Sequence, residues 1–331
     1  TQPMVLPSGI KVTFNGEIYN FRELRSTLVG CGHSFKHDSD TEVLLHAAEQ
    51  WGPDCLSRLE GMFSLVVDDP IRGITWAARD RMGQKPLFAF DKRFFADIEH
   101  GFVSELKCIL PEQNCNRVVS PNAVSRFLAY DFMPDSDGFF VGVQKVAPGE
   151  LWIIDRDNLS KKPIRKKWYN LPFGRLDKVN KHQAIEQLDE QLDIATQRCM
   201  VADVPLGIFL SGGIDSSLIT AYACRHINPN SLKTFSIGFN NPAFDESIYA
   251  QNVANHLGTK HHNLTVDSSD LLNIVPSILS AQDEPFADPS IIPTAILSRF
   301  AREEVTVALS GDGGDELFLG YPTFVAENIL S

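Results

Sequence analysis

The stretch GIFLSGGIDSSLITAY, residues 207–222, predicts how the second half of the chain folds. Its apolar start predicts a buried strand, SGGIDSS (residues 211–217) predicts a turn, and residues 218–222 open a helix. Glycines let the backbone approach a ligand without a Cβ in the way, and the N-terminus of the following helix favours an anion. The turn is therefore predicted to bind phosphate, with a ligand-free tight turn as the alternative.

An acidic residue inside this turn requires a cation. Asp215 would repel phosphate unless a metal lies between them, and Mg²⁺ is the natural candidate because it prefers oxygen ligands. The hydroxyls of Ser211, Ser216 and Ser217 are further candidate donors. The turn lacks the lysine of a Walker A sequence, which disfavours a P-loop kinase or GTPase.

A second glycine- and aspartate-rich stretch, SGDGGDE (residues 310–316), follows the apolar segment 305–309. The carboxyl ends of parallel strands meet at one edge of a sheet, where such folds bind ligands. We therefore expect Asp215 and Asp315 to approach one metal ion from two sides. By itself the second stretch could also be an ordinary acidic turn.

Alternating strands and helices fill the chain from residue 181 onward. Residues 182–200 predict a helix with Ile185, Leu188, Leu192 and Ala195 along one face, and apolar segments then alternate with helical ones up to residue 309. This alternation predicts an α/β domain with a doubly wound parallel sheet.

The first half mixes strands and helices and predicts an α+β domain. Short strands are expected at 11–14, 62–67, 74–78 and 87–90, and helices at 19–29 and 41–51. Phe21, Leu24 and Leu28 are expected on the buried face of the first helix; Val43, Leu44 and Ala47 are expected on that of the second. A basic, proline-interrupted segment then suggests the division 1–155, a linker at 156–180, and 181–331.

Composition excludes several classes of protein. The 331 residues carry 30 Lys and Arg against 42 Asp and Glu, a net charge of −12, which argues against nucleic-acid binding and against an anionic membrane surface. No stretch approaches a membrane span, and the opening residues do not resemble a secretion signal. The six cysteines form no CxxC pair, so zinc or redox motifs are not expected. These features predict a cytoplasmic protein.

Several motifs together resemble the asparagine synthetase family of glutamine-dependent amidotransferases. Residues 211–217 resemble its ATP-pyrophosphatase loop, and SGDGGDELFLGY (residues 310–321) resembles its second signature. The first half resembles the glutaminase domain of the same family, through FNGEIYN (14–20), SDTE (39–42), ARDRMGQKPL (78–87) and SELK (104–107).

For the first half, the resemblance implies an N-terminal-nucleophile-type glutaminase domain. Asn15, Gly16 and Glu17 would contact glutamine, and Asn15 would also stabilise the oxyanion, which makes it a candidate catalytic residue. Asp40 would pair with the ammonium group of the substrate.

For the second half, the resemblance implies an ATP-pyrophosphatase-type domain that adenylates a carboxylate and releases pyrophosphate. Asp215 and Asp315 would hold Mg²⁺, and Asp312 is a candidate catalytic residue. Leu210 and Ile237 would contact the nucleotide through backbone groups. The complete set of candidate ATP-binding residues is Leu210, Ser211, Gly212, Gly213, Asp215, Ser216, Ser217, Ile237, Gly311 and Asp312.

The sequence departs from the family pattern at several points. The family's glutaminase starts with a cysteine, whereas this sequence starts Thr1-Gln2-Pro3, so the first domain is expected to lack its start and the chain as given to lack glutaminase activity. The family's synthetase domain continues well beyond its second signature, whereas this sequence ends at Ser331, so the second domain is expected to lack its end. Asp312 stands where members acting on aspartate have glutamate. Leu319 stands where a glycine is common.

The leading interpretation is glutamine-dependent conversion of aspartate to asparagine, with ATP converted to AMP and pyrophosphate. One alternative is the same chemistry on another acceptor, such as a sugar acid in polysaccharide assembly. A second is a non-catalytic remnant that binds ATP. A pyrophosphatase acting on a nucleotide or tRNA is disfavoured by the glutaminase motifs. Expected partners are glutamine, ATP and a carboxylate, and a homodimer is the candidate assembly.

Overall fold

The computed structural model of the chain describes residues 2–134, 138–172, 180–243 and 245–330. It divides into two compact units, each formed by two segments of the chain. Unit 1 comprises Thr1–Arg175 and Gln282–Asp288, and unit 2 comprises Leu176–Ala281 and Pro289–Ser331.

Unit 1 combines antiparallel sheets with three α-helices among its described residues. A six-stranded sheet has the order β1-β2-β3-β4-β8-β9, and a three-stranded sheet has the order β6-β5-β7. The elements are β1 (Met4–Val5), β2 (Lys11–Ile18), α1 (Phe21–Gly30), α2 (Asp40–Trp51), β3 (Gly61–Asp69), β4 (Ile74–Arg79), β5 (Phe88–Asp91), β6 (His100–Val103), α3 (Pro121–Tyr130), β7 (Val143–Lys145), β8 (Glu150–Asp155) and β9 (Ile164–Lys167).

Helices α1 and α2 of unit 1 bury the apolar faces that the sequence predicts. The apolar face expected on each is buried, with Phe21, Leu24 and Leu28 on α1 and Val43, Leu44 and Ala47 on α2. Helix α2 begins after Ser39, whose side chain accepts a hydrogen bond from the backbone N–H of Glu42 and so caps the helix.

Two boundaries in unit 1 differ from the sequence prediction. The strand expected at 11–14 continues to Ile18, so the Asn-Gly-Glu motif lies within β2 and pairs with β3. The linker expected at 156–180 contains β9, which pairs with β8. Arg165 explains this pairing, because its guanidinium lies 4.5 Å from the Trp152 ring and 2.8 Å from the Glu150 carboxylate. Residues 173–179 of that linker lie outside the described residues.

Unit 2 has the alternating order that the sequence predicts. Its four strands form one parallel sheet in the order β12-β11-β10-β13. The elements are α4 (Lys181–Cys199), β10 (Leu206–Phe209), α5 (Ile214–His226), β11 (Lys233–Phe239), α6 (Ser247–Leu257), β12 (Lys260–Val266), α7 (Ser268–Ala281), α8 (Ile291–Arg302), β13 (Val307–Leu309), α9 (Gly314–Phe318) and α10 (Pro322–Leu330).

The two central strands of the sheet in unit 2, β10 and β11, pack against helices. Ile208 on β10 packs with Ala223 of α5, and Phe235 on β11 packs with Ala301 of α8. The apolar stripe expected on α4 is less buried than its spacing suggests, because Ile185 and Leu188 are exposed and the helix instead buries Thr196.

The short segment Gln282–Asp288 packs in unit 1 although the sequence division placed it in the domain 181–331. Asp283 accepts hydrogen bonds from the backbone N–H groups of Leu106, at 2.8 Å, and Lys107, at 2.9 Å. Glu284 pairs with Lys145 at 2.6 Å and accepts a bond from the Phe139 N–H. The carboxylates of this segment therefore fix it by specific contacts.

None of the described helices combines the length and the apolar character that a membrane crossing requires.

Candidate functional site

A cavity of about 750 Å³ opens in unit 2 at the carboxyl ends of β10, β11 and β13. Its walls come from the loops after these strands, the first turn of α5, the start of α6 and one face of α8. This is the edge at which parallel sheets bind ligands, because the strand ends and the helix N-termini converge there.

The loop after β10 is held in shape by its own hydroxyls. The Oγ atoms of Ser211 and Ser216 lie 3.0 Å apart, and the backbone N–H of Ser211 donates to Ser216 Oγ at 3.2 Å. The N–H of Gly213 donates to Ser211 Oγ. These serines, which the sequence suggested as ligand donors, therefore first serve to fix the loop.

Gly212 is required in this loop for two reasons. Its φ is +87°, a conformation that L side chains rarely adopt. A Cβ at this position would also lie 2.5 Å from the backbone nitrogen of Ala250, on α6. The loop therefore lies directly against α6.

The loop after β13 packs on Asp215 through two glycines. A Cβ at Gly314 would lie 2.5 Å from Asp215 Cγ, and one at Gly311 would lie 2.7 Å from the Ser216 nitrogen. Farther along, a Cβ at Gly320 would collide with the carboxylate of Asp315. The glycines of both loops thus allow Asp215 and Asp315 to line one cavity.

The cavity combines carboxylates with the N-terminus of a helix. Asp215, Asp312, Asp315 and Glu246 line it, and the 13-residue helix α5 starts there. Carboxylate oxygens are the ligands that Mg²⁺ prefers, and free N–H groups of a first helical turn attract phosphate. The residues present therefore fit a magnesium ion between protein carboxylates and a phosphate.

Most of the predicted nucleotide residues line this cavity. Gly212 and Ser217 do not: Gly212 packs on α6, and Ser217 Oγ is buried with no hydrogen-bond partner among the described residues. The predicted nucleotide-binding residues that line it are Leu210, Ser211, Gly213, Asp215, Ser216, Ile237, Gly311 and Asp312, and the predicted metal ligand Asp315 also lines it.

Sequence reasoning missed a third wall of the cavity. Phe239, Glu246 and Ser247 line it from the end of β11 and the start of α6. Asp245 orders this wall by accepting bonds from the N–H groups of Phe239 and Ser247, and the Ser247 hydroxyl and N–H hold the pKa of Asp245 below its usual range. The position of this loop after a parallel strand was the available signal.

The predicted glutamine residues come together in unit 1. Asn15, Gly16 and Glu17 lie on β2, and Asp40 begins α2. The carboxylate of Asp40 accepts a hydrogen bond from the N–H of Ile18 at 3.1 Å, which fixes the start of α2 at the end of the motif.

Gly16 is required because the two strands approach closely. A Cβ there would collide with the carbonyl oxygen of Met62 and lie 2.7 Å from Phe63 Cα, on β3. Asn15 is exposed on the same strand. The Asn-Gly-Glu motif therefore lies on a strand, β2, that can pair with β3 at this point only because residue 16 is glycine.

The turn at residues 80–85 is organised by two buried charges. The carboxylate of Asp80 accepts bonds from four backbone N–H groups, those of Phe63, Met82, Gln84 and Lys85. The guanidinium of Arg79 donates to the carbonyls of Lys85, Val146 and Gly83. The motif ARDRMGQKPL thus carries the framework of the turn.

The cysteines of the chain are free thiols. Burial raises the pKa of the Cys55 thiol to about 12, and burial also raises the pKa of Cys224. Both thiols therefore stay protonated at neutral pH.

Comparison with known protein families identifies both halves. The family model described as asparagine synthase matches residues 187–331, and the one described as glutamine amidotransferase domain matches residues 1–169. The chain belongs to the asparagine synthetase family. Its α+β unit accordingly carries a glutamine amidotransferase domain, and its α/β unit carries the asparagine synthase domain.

Relatives in this family cover nearly the whole chain. Asparagine synthetase [glutamine-hydrolyzing] 1 of Bacillus subtilis (strain 168) is 35% identical over 313 residues, which are 94% of this chain and 47% of that protein. Asparagine synthetase [glutamine-hydrolyzing] 3 of the same organism is 32% identical over 337 residues, 97% of this chain and 53% of that protein. The chain thus spans about half the length of the relatives it matches.

One solved structure also resembles the chain. It is the glutamine phosphoribosylpyrophosphate amidotransferase of Bacillus subtilis in complex with ADP and GMP, with 17% identity and a TM-score of 0.35. The match covers 80% of this chain and 48% of that structure.

Proposed function

We propose that unit 2 activates a carboxylate with ATP and that ammonia from glutamine then converts it to an amide, with aspartate as the acceptor and asparagine as the product. The observation that carries this proposal is the meeting of two glycine-dependent loops, after β10 and after β13, around Asp215 in one cavity. A carboxylate is a poor electrophile, and its adenylate has a good leaving group.

The residues of unit 2 divide the work in this proposal. The N-terminus of α5 and the N–H groups of the loop after β10 bind phosphate oxygens. Asp215 and Asp315 would hold Mg²⁺, and the bound ion would offset the negative charge of the pyrophosphate. Leu210 and Ile237 flank the nucleotide, and Asp312, held by the Ser310 hydroxyl at 2.9 Å, faces the acceptor.

Unit 1 supplies the glutamine site in the same proposal. Asp40 pairs with the ammonium group of glutamine, and Asn15 donates to the oxyanion that forms at the carboxamide. Gly16 and Glu17 complete the contacts along β2. The cytoplasmic location and the homodimer stay predictions.

The acceptor is tested by ATP–pyrophosphate exchange. With Mg²⁺ and aspartate present, we expect exchange that stops when aspartate is left out. Exchange that instead requires a sugar acid would assign the alternative acceptor. ATP binding that depends on Mg²⁺, without exchange for any carboxylate, would contradict the proposed reaction and support the binding remnant.

A matched pair of variants tests the role of the site. Asp215→Asn removes the proposed metal ligand and should lower exchange by about 100-fold. Asp203→Asn removes one charge from an exposed position ahead of β10 and should leave exchange unchanged. Equal activity in the two variants would show that Asp215 takes no part in the reaction.

A further inference from the structure

A cluster of nitrogen and oxygen ligands lies in unit 1 apart from the predicted glutamine residues. His33 lies in the connection between α1 and α2, while His46 and Glu49 lie on α2. His46 and Glu49 are three residues apart, so they share one face of the helix. The potential ligand atoms of all three lie within 4.8 Å of one another.

The three nearest atoms form a compact triangle. The two Nδ1 atoms of His33 and His46 lie 3.0 Å apart, and Glu49 Oε2 lies 3.6 Å from the first and 3.7 Å from the second. A point equidistant from the corners of this triangle is about 2.0 Å from each of them, and zinc binds histidine nitrogen at about 2.0–2.1 Å and carboxylate oxygen at about 2.0–2.2 Å.

Hydrogen bonding accounts for only one side of this triangle. A single proton between the imidazoles joins the two Nδ1 atoms. The 3.6 and 3.7 Å from these atoms to the Glu49 oxygen exceed the usual hydrogen-bond length. A cation at the centre accounts for all three sides together, because it attracts both ring nitrogens and the carboxylate oxygen.

The surroundings orient both rings for this role. His33 Nε2 lies 2.8 Å from Gln50 Oε1, so its Nε2–H donates to that oxygen and its Nδ1 keeps a lone pair. The ring of Phe35 contacts the His46 ring edge-on, at 4.7 Å between centroids. The side chains of His33, His46 and Glu49 are 12%, 9% and 26% exposed, so the cluster is shielded while one side stays open to a fourth ligand.

We propose that His33, His46 and Glu49 bind a divalent cation of the zinc type. Two imidazoles and one carboxylate suit zinc better than magnesium or calcium, which prefer oxygen ligands. The ion would fasten the connection after α1 to helix α2. Because α2 begins at Asp40, which contacts the end of β2, the ion would stabilise the element that positions the candidate glutamine residues.

Direct metal binding tests this proposal. The purified chain, stripped with EDTA, is titrated with Zn²⁺ against a chromophoric chelator in excess Mg²⁺, so that the oxygen ligands of unit 2 are already occupied. We expect one equivalent of tight binding and a rise in the melting temperature. Co²⁺ in place of Zn²⁺ should give the strong visible absorption of a tetrahedral site with nitrogen ligands.

Variants assign the ligands. His33→Ala and Glu49→Gln should each weaken binding by at least about tenfold and abolish the rise in melting temperature. His37→Ala is the matched control, since His37 belongs to the same connection but lies outside the cluster, and it should bind as the wild type does. Unfolding of each variant in EDTA shows that it still folds.

Three results would overturn the proposal. One is the lack of stoichiometric Zn²⁺ binding in excess Mg²⁺. Another is equal affinity in His33→Ala, Glu49→Gln and the control. The third is a melting temperature that Zn²⁺ leaves unchanged in the wild type.

Discussion

Replacing Gly314 by alanine separates the nucleotide site from the stability of the fold. Gly314 is the first residue of α9, and its φ lies outside the left-handed region. Alanine therefore fits the backbone there and should leave the free energy of unfolding nearly unchanged. Its Cβ, however, would lie 2.5 Å from Asp215 Cγ and Oδ2.

The size of the effect follows from this contact. To reach an ordinary contact of 3.4 Å, the Asp215 carboxylate must move by about 0.9 Å. If Asp215 held Mg²⁺ at the usual distance of about 2.1 Å, moving its carboxylate to about 3.0 Å would lose about 5 kcal/mol at most, at an effective dielectric constant of about 20. Rotation of the side chain recovers part of that loss. We therefore expect about a 10- to 100-fold weaker affinity for ATP in the presence of Mg²⁺.

Gly313→Ala is the matched control. A Cβ at Gly313 meets no atom within 4 Å, but its φ of +92° makes alanine strained there. This variant should lose about 1 kcal/mol of stability and keep its affinity for ATP. Equilibrium dialysis with ATP, with and without Mg²⁺, and urea unfolding measure the two quantities. If Gly314→Ala binds ATP as tightly as the wild type, Asp215 is not the metal ligand.

Three further substitutions test other parts of the structure. Leu319→Gly should raise the free energy of unfolding by about 1 kcal/mol in urea, because Leu319 has a φ of +60° and a mostly exposed side chain; lower stability would contradict the strain. Glu284→Gln should lower the free energy of unfolding by about 2 kcal/mol, because Lys145 loses its charged partner. Glu99→Gln, which removes an exposed ion pair, is the control. Equal losses in the two variants would show that the Glu284 ion pair is unimportant. Gly16→Ala should abolish glutamine binding, measured by calorimetry, because the added Cβ would force β2 away from β3. Unchanged binding would show that the Asn-Gly-Glu motif is not part of the glutamine site.

Hydrophobic spacing predicted the elements of unit 2 well. The parallel sheet and the alternation of its strands with helices agree with the pattern, because buried strands and amphipathic helices leave a periodic signal. The spacing could not show that Ile185 and Leu188 would be exposed. A periodic face indicates that a helix forms, while burial depends on which elements pack against it.

The sequence did not reveal contacts between side chains that lie far apart along the chain. Strand β9 forms because Arg165 stacks on Trp152 and pairs with Glu150, but the sequence shows only a basic segment interrupted by prolines. The return of Gln282–Asp288 to unit 1 depends in the same way on Glu284 and Lys145, which are 139 residues apart. Neither contact has a local pattern.

The motifs that did reveal the candidate sites have a common physical basis. At Gly16, Gly212 and Gly314 a Cβ would strike the backbone of another element or the side chain of Asp215, so no other residue preserves these approaches. Such a requirement is visible in the sequence as a glycine, even though the group that the glycine contacts is not. The two glycine-containing loops of the cavity could therefore be recognised in the sequence. The third wall, at Glu246 and Ser247, was missed because the hydrogen bonds of Asp245 hold it in place. Those bonds do not require a glycine, so the wall has no such signal in the sequence.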